Sequence, residues 1–174
     1  MRWVALLRAV NLGGANKVPM AQLRALLEEA GYENVRTYIA SGNVLLDGPQ
    51  SKTALSATLE KLIADSFGVR TTATLRRPQE LAATVAAHPF GTDTSETHVA
   101  FLAARPAKAA AVRLAEIAGD DLAVLARAEL YLRLPRGVHG SRLSIARIEK
   151  LLGVPATLRN WRTVAALADL AAEA

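Results

Sequence analysis

The chain has 174 residues, of which 51% are apolar and 21% charged, and it carries a formal net charge of +5. These values are typical of a folded protein of one domain or two small halves, and they exclude collagen-like and mostly disordered chains. The absence of cysteine excludes disulfide bridges, thiol nucleophiles and cysteine-ligated metal sites.

No segment predicts secretion or membrane insertion. The apolar run that follows Arg2 is too short for the core of a signal peptide. No stretch approaches the ~18 consecutive apolar residues that a membrane span needs. We therefore expect a cytoplasmic protein without membrane association, and no feature of the sequence specifies an oligomeric state.

The positive charge is concentrated near the C-terminus. Residues 1–129 hold 14 basic and 13 acidic residues, whereas residues 130–174 hold 7 and 3. A local excess of this kind attracts phosphates or nucleic acid. The alternative is an arginine-rich surface that is exposed to solvent and binds no polyanion, which would give the same excess of basic residues.

The first half of the chain alternates strand and helix patterns in the order β-α-β-β-α-β. This is the split βαβ, or ferredoxin-like, arrangement. A proline at the first helical position and glycines at the ends of both helices mark the boundaries. The predicted elements are, in chain order, strand 2–10, helix 19–30, strands 34–41 and 44–47, helix 51–67 and strand 69–77.

The second half resembles a looser repeat of the first. After helix 78–87 and a polar linker, the patterns predict strand 97–105, helix 106–118, a hairpin over 122–135 and helix 143–153. The closing strand is missing from this pattern, and a terminal helix begins at about 161. The predicted fold is α+β, with two ferredoxin-like halves in tandem, at 1–77 and 78–174, and an extra C-terminal helix.

The segment LLRAVNLGGANKVPM (6–20) is the densest cluster of candidate binding residues. A strand leads through a glycine-containing loop to a helix N-terminus, whose N–H groups can bind an anion. The segment matches neither GxGxxG nor GxxxxGK[ST]. A tight connection held by its asparagines is the alternative. The candidates are Arg8, Asn11, Gly13, Gly14 and Lys17.

A second motif, TYIASGNV (37–44), joins two strands through a turn. Its candidates are Tyr38, Ser41 and Asn43. A structural turn is favoured over a nucleophilic Ser41, because no histidine is nearby to act as its base. Tyr38 can stack on a base or sugar if it lies on an open sheet face.

Two further motifs, GSRLS (140–144) and TLRNWRT (157–163), lie in the basic part of the chain. Ser141 or Ser144 can cap the helix that follows, where a phosphate would be well placed. Trp161 either anchors the last helix in the core or forms an interaction surface with its neighbouring arginines. The candidate ligand-binding residues are Arg142, Arg159, Asn160 and Arg162.

No metal or cofactor site is predicted. The three histidines, His88, His98 and His139, are far apart and lack the spacing of metal ligands. The chain contains neither an HExxH motif nor an acidic calcium-binding loop.

Taken together, LLRAVNLGGANKVPM, VRTYIASGNV, GSRLS and TLRNWRTV resemble the bacterial DUF1697 family, from about residue 3 to residue 168. Ala9 stands where the family motif LLRGINVGG has glycine, and Arg142 stands where the family often has lysine, which keeps the charge but not the lysine chemistry. The resemblance implies tandem ferredoxin-like halves with a helical C-terminal addition. It implies no activity, substrate or cofactor.

Three hypotheses about function follow. The first is a protein that binds a phosphate-bearing ligand, a nucleotide or nucleic acid, through an Arg/Asn-rich face. The second is a small-molecule enzyme with a pocket between the halves, although no base or nucleophile is evident. The third is a structural or interaction module, in which Arg8, Asn43, Arg159 and Asn160 make internal hydrogen bonds.

Overall fold

Two four-stranded antiparallel sheets hold all eight strands of the part of the chain described by the computed structural model, which covers residues 1–173, with the backbone alone at position 115. The chain forms two compact units: Met1–Leu81 with the chain end from Leu167, and Ala82–Ala166. In chain order the elements are β1 (Arg2–Leu7), α1 (Met20–Glu29), β2 (Glu33–Tyr38), β3 (Asn43–Asp47), α2 (Lys52–Phe67), β4 (Ala73–Arg76), α3 (Pro78–Ala86), β5 (Thr97–Leu102), α4 (Lys108–Ile117), β6 (Leu122–Ala126), β7 (Glu129–Arg133), α5 (Gly137–Gly140), α6 (Ile145–Leu152), β8 (Ala156–Asn160) and α7 (Trp161–Ala172).

The first unit is a ferredoxin-like fold with the strand order β2-β3-β1-β4. Alternate residues of β1, including Trp3, Ala5 and Leu7, belong to a core that also contains Leu23 of α1 and Leu59 of α2. The sheet therefore buries one face under its two helices. This agrees with the sequence pattern, in which apolar residues recur at every second position of a strand and at every third or fourth position of a helix.

The second unit repeats this topology with the strand order β6-β7-β5-β8. Its core combines Ala100 and Leu102 of β5 with Leu114 of α4 and Ile148 of α6. The α+β fold with two ferredoxin-like halves and a C-terminal helix is confirmed. The predicted boundary between the two halves, after residue 77, stays a prediction.

The prediction that the second half lacks its closing strand was wrong. β8 pairs antiparallel with β5 from His98↔Asn160 to Leu102↔Ala156. The sequence carried a signal for this strand, because the tetrapeptide ATLR of β4 (73–76) recurs in β8 (156–159). The short helix α5 was also not predicted.

The repeat extends to individual side-chain contacts. Glu60 of α2 accepts a hydrogen bond from the Ala73 backbone N–H at 2.9 Å, and Glu149 of α6 accepts one from Ala156 at 2.8 Å. Each carboxylate therefore ties the second helix of its half to the first residue of the last strand.

Four predicted strands are shorter in the structure: those over 2–10, 34–41, 69–77 and 97–105, which form β1, β2, β4 and β5. The segment before β4 is held by side-chain and loop contacts: Thr71 Oγ1 donates to the Arg8 carbonyl at 2.7 Å, and the Arg8 N–H donates to the Thr72 carbonyl at 3.0 Å. β5 ends at Leu102, and α4 begins at Lys108, two residues after Pro106.

No helix in the described part of the chain has the length and apolar content needed to cross a bilayer.

Candidate ligand-binding groove

The loop between β1 and α1 is tied to the turn between β2 and β3 by the side chain of Asn11. Its Nδ2 donates to the carbonyls of Ala40 at 2.7 Å and Val18 at 2.9 Å. Its Oδ1 accepts from the Val18 N–H at 2.8 Å. The amide of Asn11 uses both donor positions within the protein, so this residue positions the loop.

The turn itself is built around Asn43 and Gly42. Asn43 is fully buried, and its Nδ2 donates to the Tyr38 carbonyl at 2.9 Å and to Ser41 Oγ at 3.0 Å. Gly42 has φ +85°, and a Cβ there would lie 2.4 Å from Val10 Cγ2. Only glycine fits this position, for reasons of both conformation and space.

The backbone around the loop and turn is strained. Four non-glycine residues of the loop and turn have φ between +49° and +55°: Ala9, Asn11, Asn16 and Ile39. For a β-branched residue such as Ile39 this conformation is a genuine outlier. Strained residues cluster at sites where the surrounding structure holds the backbone for function.

Between the loop and the turn lies an open groove of about 590 Å³. Among the described residues that line it, Lys17 alone is charged. α1 begins at this groove without a side-chain cap on Pro19 and without an acidic residue in its first turn, so the positive end of the helix dipole is not neutralised locally. The lining residues are Asn11, Gly14, Lys17, Val18, Pro19, Met20, Thr37, Ile39 and Ala40.

Eight of the twelve candidate residues belong to the first unit, around this loop and turn. Asn11, Gly14 and Lys17 line the groove, while Arg8, Gly13, Tyr38, Ser41 and Asn43 do not. The sequence did not predict that Met20 and Ile39 contribute apolar surface to the groove. The sequence signal that points to the groove is the first turn of α1, which lacks the usual Ser, Thr, Asn or Asp cap.

The other four candidates belong to the second unit, and two of them have structural partners. Arg159 is buried in β8 and donates to the Leu158 carbonyl at 2.9 Å; burial lowers its pKa to about 10. Asn160 caps α7, because its Oδ1 accepts from the Thr163 N–H at 2.9 Å. Arg142 and Arg162 are exposed. Arg159 therefore lies off the exposed face that the sequence interpretation assumed.

The basic excess of residues 130–165 is partly neutralised in the structure. Arg133 forms an ion pair with Glu96 at 2.9 Å, and Arg136 pairs with Asp120. With Arg159 buried, the exposed positive field of this segment is weaker than the sequence count suggests.

The histidines offer no metal centre in the described residues, where no group of three or more His, Asp or Glu is placed to hold an ion. His88 instead joins the packing of the second unit. Its Nε2 lies 3.0 Å from Thr97 Oγ1, and its ring centroid lies 4.4 Å from that of Trp161. Trp161 is half-buried and packs against His88. Ser144, rather than Ser141, caps α6, and Ser141 Oγ donates to Asp121 at 2.7 Å.

Comparison with known proteins agrees with the motifs of the loop and the turn. The family model of DUF1697, described as proteins of unknown function, matches residues 1–131. The chain belongs to the DUF1697 family. A solved structure of a conserved bacterial protein, SP0830 from Streptococcus pneumoniae, is similar over 98% of each chain, with a TM-score of 0.73 and 24% identity. At this identity the likeness shows the fold alone. A search of curated proteins finds no match.

Proposed function

We propose that this DUF1697 protein binds a small molecule with a phosphate or carboxylate group and an apolar part in the groove between the loop and the turn. The observation that carries the proposal is a groove of small-molecule size, about 590 Å³, in which Lys17 is the one charged residue of the described lining. The other described lining residues are uncharged and mostly apolar, and they include Met20 and Ile39.

Two features of the loop support an anionic group in the ligand. The uncapped start of α1 supplies backbone N–H groups and the positive end of the helix dipole. Gly14 has φ +83°, and a Cβ there would meet nothing within 4 Å. The glycine is therefore not needed for packing, and it leaves the backbone open to close approach by a ligand.

A small ligand is favoured over a nucleic acid by the distribution of charge. The arginines that would form a continuous phosphate-binding surface in the second unit include Arg133 and Arg136, which have carboxylate partners, and the buried Arg159. Binding of a polyanion would also fall steeply with salt, because many counterions are released. If the phosphate contacts Lys17 alone, the binding affinity should fall only modestly as the salt concentration rises.

The proposal is tested by calorimetric titration with adenosine 5′-monophosphate, with adenosine as the uncharged control. Lys17→Glu should weaken nucleotide binding by about tenfold or more, equivalent to about 1.4 kcal/mol. The matched control is Lys150→Glu, which reverses an exposed lysine of α6 in the basic segment. A loss of binding in Lys150→Glu but not in Lys17→Glu would contradict the groove and favour the basic segment.

A further inference from the structure

Thr37 lies on the face of the first sheet that the helices cover, and it lines the groove. Its strand, β2, pairs with β3 so that Thr37 lies opposite Val44. Side chains that are directly opposed in an antiparallel pair share one face of the sheet. Val44 belongs to the core beneath the helices, and so does Val35, two positions before Thr37 in the strand. Thr37 therefore continues the core-facing row of β2 and reaches the groove.

The fold itself does not require a hydroxyl at this position. The two halves share one topology, and in each hairpin the second residue pair counted from the turn can be compared. This pair is Thr37 and Val44 in the first half and Leu125 and Leu130 in the second. Leu125 packs against the core of the second unit. An apolar side chain thus satisfies the fold there, so the threonine of the first half has a reason other than folding.

The hydroxyl of Thr37 is free to bond a ligand. The residue is half-buried, and its hydroxyl has no hydrogen-bond partner within the described part of the protein. A hydroxyl partly removed from water without a partner costs free energy, which a hydrogen bond to a ligand would recover. The Asn11 amide is already bonded to Val18 and Ala40. Among the described lining residues, Thr37 and Lys17 therefore supply the free polar side-chain groups.

We propose that the Thr37 hydroxyl bonds a sugar hydroxyl of the ligand, so that the groove takes a sugar phosphate, free or as part of a nucleotide. This inference rests on the proposed function, in which Lys17 contacts the anionic group. A threonine hydroxyl both donates and accepts a hydrogen bond, as a sugar hydroxyl does, so each satisfies the other. The hydrocarbon chain of a fatty acid would instead cover the Thr37 hydroxyl and leave it unpaired, which selects against such a ligand.

Calorimetric titration with two nucleotides tests this contact. Adenosine 5′-monophosphate carries both ribose hydroxyls, and its 2′,3′-dideoxy analogue carries neither. The wild-type protein should bind the first about threefold to tenfold more tightly, which is the range for one neutral hydrogen bond. Thr37→Val keeps the shape of the side chain and removes its hydroxyl. It should bind adenosine 5′-monophosphate more weakly by a similar factor and lose the preference between the two nucleotides.

Two further variants control for indirect effects. Thr37→Ser keeps the hydroxyl, so it should keep the preference for adenosine 5′-monophosphate. Thr72→Val removes the hydroxyl of another half-buried threonine of the first unit, one that does not line the groove, and it should bind both nucleotides as the wild type does. Urea denaturation checks that each variant is folded before its titration is interpreted.

The outcomes separate this inference from the proposed function. If Lys17→Glu loses nucleotide binding while Thr37→Val binds both nucleotides as the wild type does, the groove binds the anion but the contact with Thr37 is wrong. A Thr37→Val variant that weakens both nucleotides equally would also overturn the inference, because the hydroxyl would then act on another part of the ligand. A wild-type protein that binds neither nucleotide would contradict the proposed function, and this inference with it.

Discussion

At the scale of single residues, the conspicuous polar residues of the motifs hold the backbone. Asn11 bonds Val18 and Ala40, and Asn43 bonds Tyr38 and Ser41. The groove is formed by the loop and turn that these amides position. Their substitution would therefore change the shape of the groove before it changed any direct contact with a ligand.

Gly42 offers the sharpest test of this tight packing. Gly42→Ala places a Cβ 2.4 Å from Val10 Cγ2 at φ +85°. We expect a loss of about 3 kcal/mol in the free energy of unfolding, measured by urea denaturation. The control is Gly13→Ala, where φ is +55° and no atom lies within 4 Å of the added Cβ; it should cost about 1 kcal/mol. Equal losses in the two variants would argue against the close contact.

Tyr131 predicts a pH dependence of stability. Burial, and then the charge of Glu129, raises the pKa of Tyr131 to about 12. In the unfolded chain its pKa is about 10, so the stability contributed by the protonated phenol is present below pH 10 and is lost as the pH rises towards 12.

The matched variant is Tyr131→Phe, which also removes the 2.8 Å hydrogen bond to the Thr84 carbonyl. At neutral pH we expect it to cost about 1 kcal/mol in the free energy of unfolding. Measured against pH, the difference between wild type and variant should be constant up to about pH 9 and shrink between pH 10 and 12. A difference that is independent of pH across this window would show that the phenol titrates normally.

At the scale of elements, a carboxylate links the second helix to the last strand in each half. Glu149→Ala removes the acceptor for the Ala156 N–H, and Glu60→Ala removes the acceptor for Ala73. Each should cost about 2 kcal/mol, because the remaining N–H is partly buried. Urea denaturation measures the loss, and hydrogen exchange should show faster exchange of the Ala156 or Ala73 amide.

The conservative variant Glu149→Gln keeps an oxygen acceptor, so it should recover part of the stability. Glu29→Ala, an exposed glutamate at the end of α1, should stay within about 0.5 kcal/mol of wild type. If Glu149→Gln were as unstable as Glu149→Ala while the amide of Ala156 kept its protection, this contact would not link helix and strand.

The elements also show what the sequence could predict. Hydrophobic periodicity, the candidate cap Ser144 and the terminal glycines Gly68 and Gly153 predicted the helices within a few residues. β8 was missed because it is short and runs directly into α7, although the repeated ATLR pointed to it. The sequence could predict that eight of the candidates lie near one loop and one turn, because they follow one another along those two connections.

The sequence could not predict which candidates face solvent. Asn43 and Arg159 resemble ligand-binding residues in type and setting, but sheet pairing places both in the interior. Conversely, Met20 fits the apolar face of α1, yet it lies at the first turn of the helix and lines the groove. Burial depends on contacts between distant segments, which local patterns do not contain.

At the scale of the whole molecule, two halves of one topology differ in the surfaces that they present. The first carries the groove and a charged outer strand, β2, and the second carries an apolar outer strand, β6. The same topology thus occurs twice, and the proposed ligand-binding groove belongs to the first half alone.

The central claim, that the groove of the first unit binds an anionic small molecule, is tested most directly by amide chemical shifts during titration with adenosine 5′-monophosphate. We predict shifts concentrated at Gly14, Lys17 and the first turn of α1, with adenosine alone producing much smaller ones. Shifts that are confined to residues 140–162, or the absence of saturable shifts at Gly14 and Lys17, would contradict it.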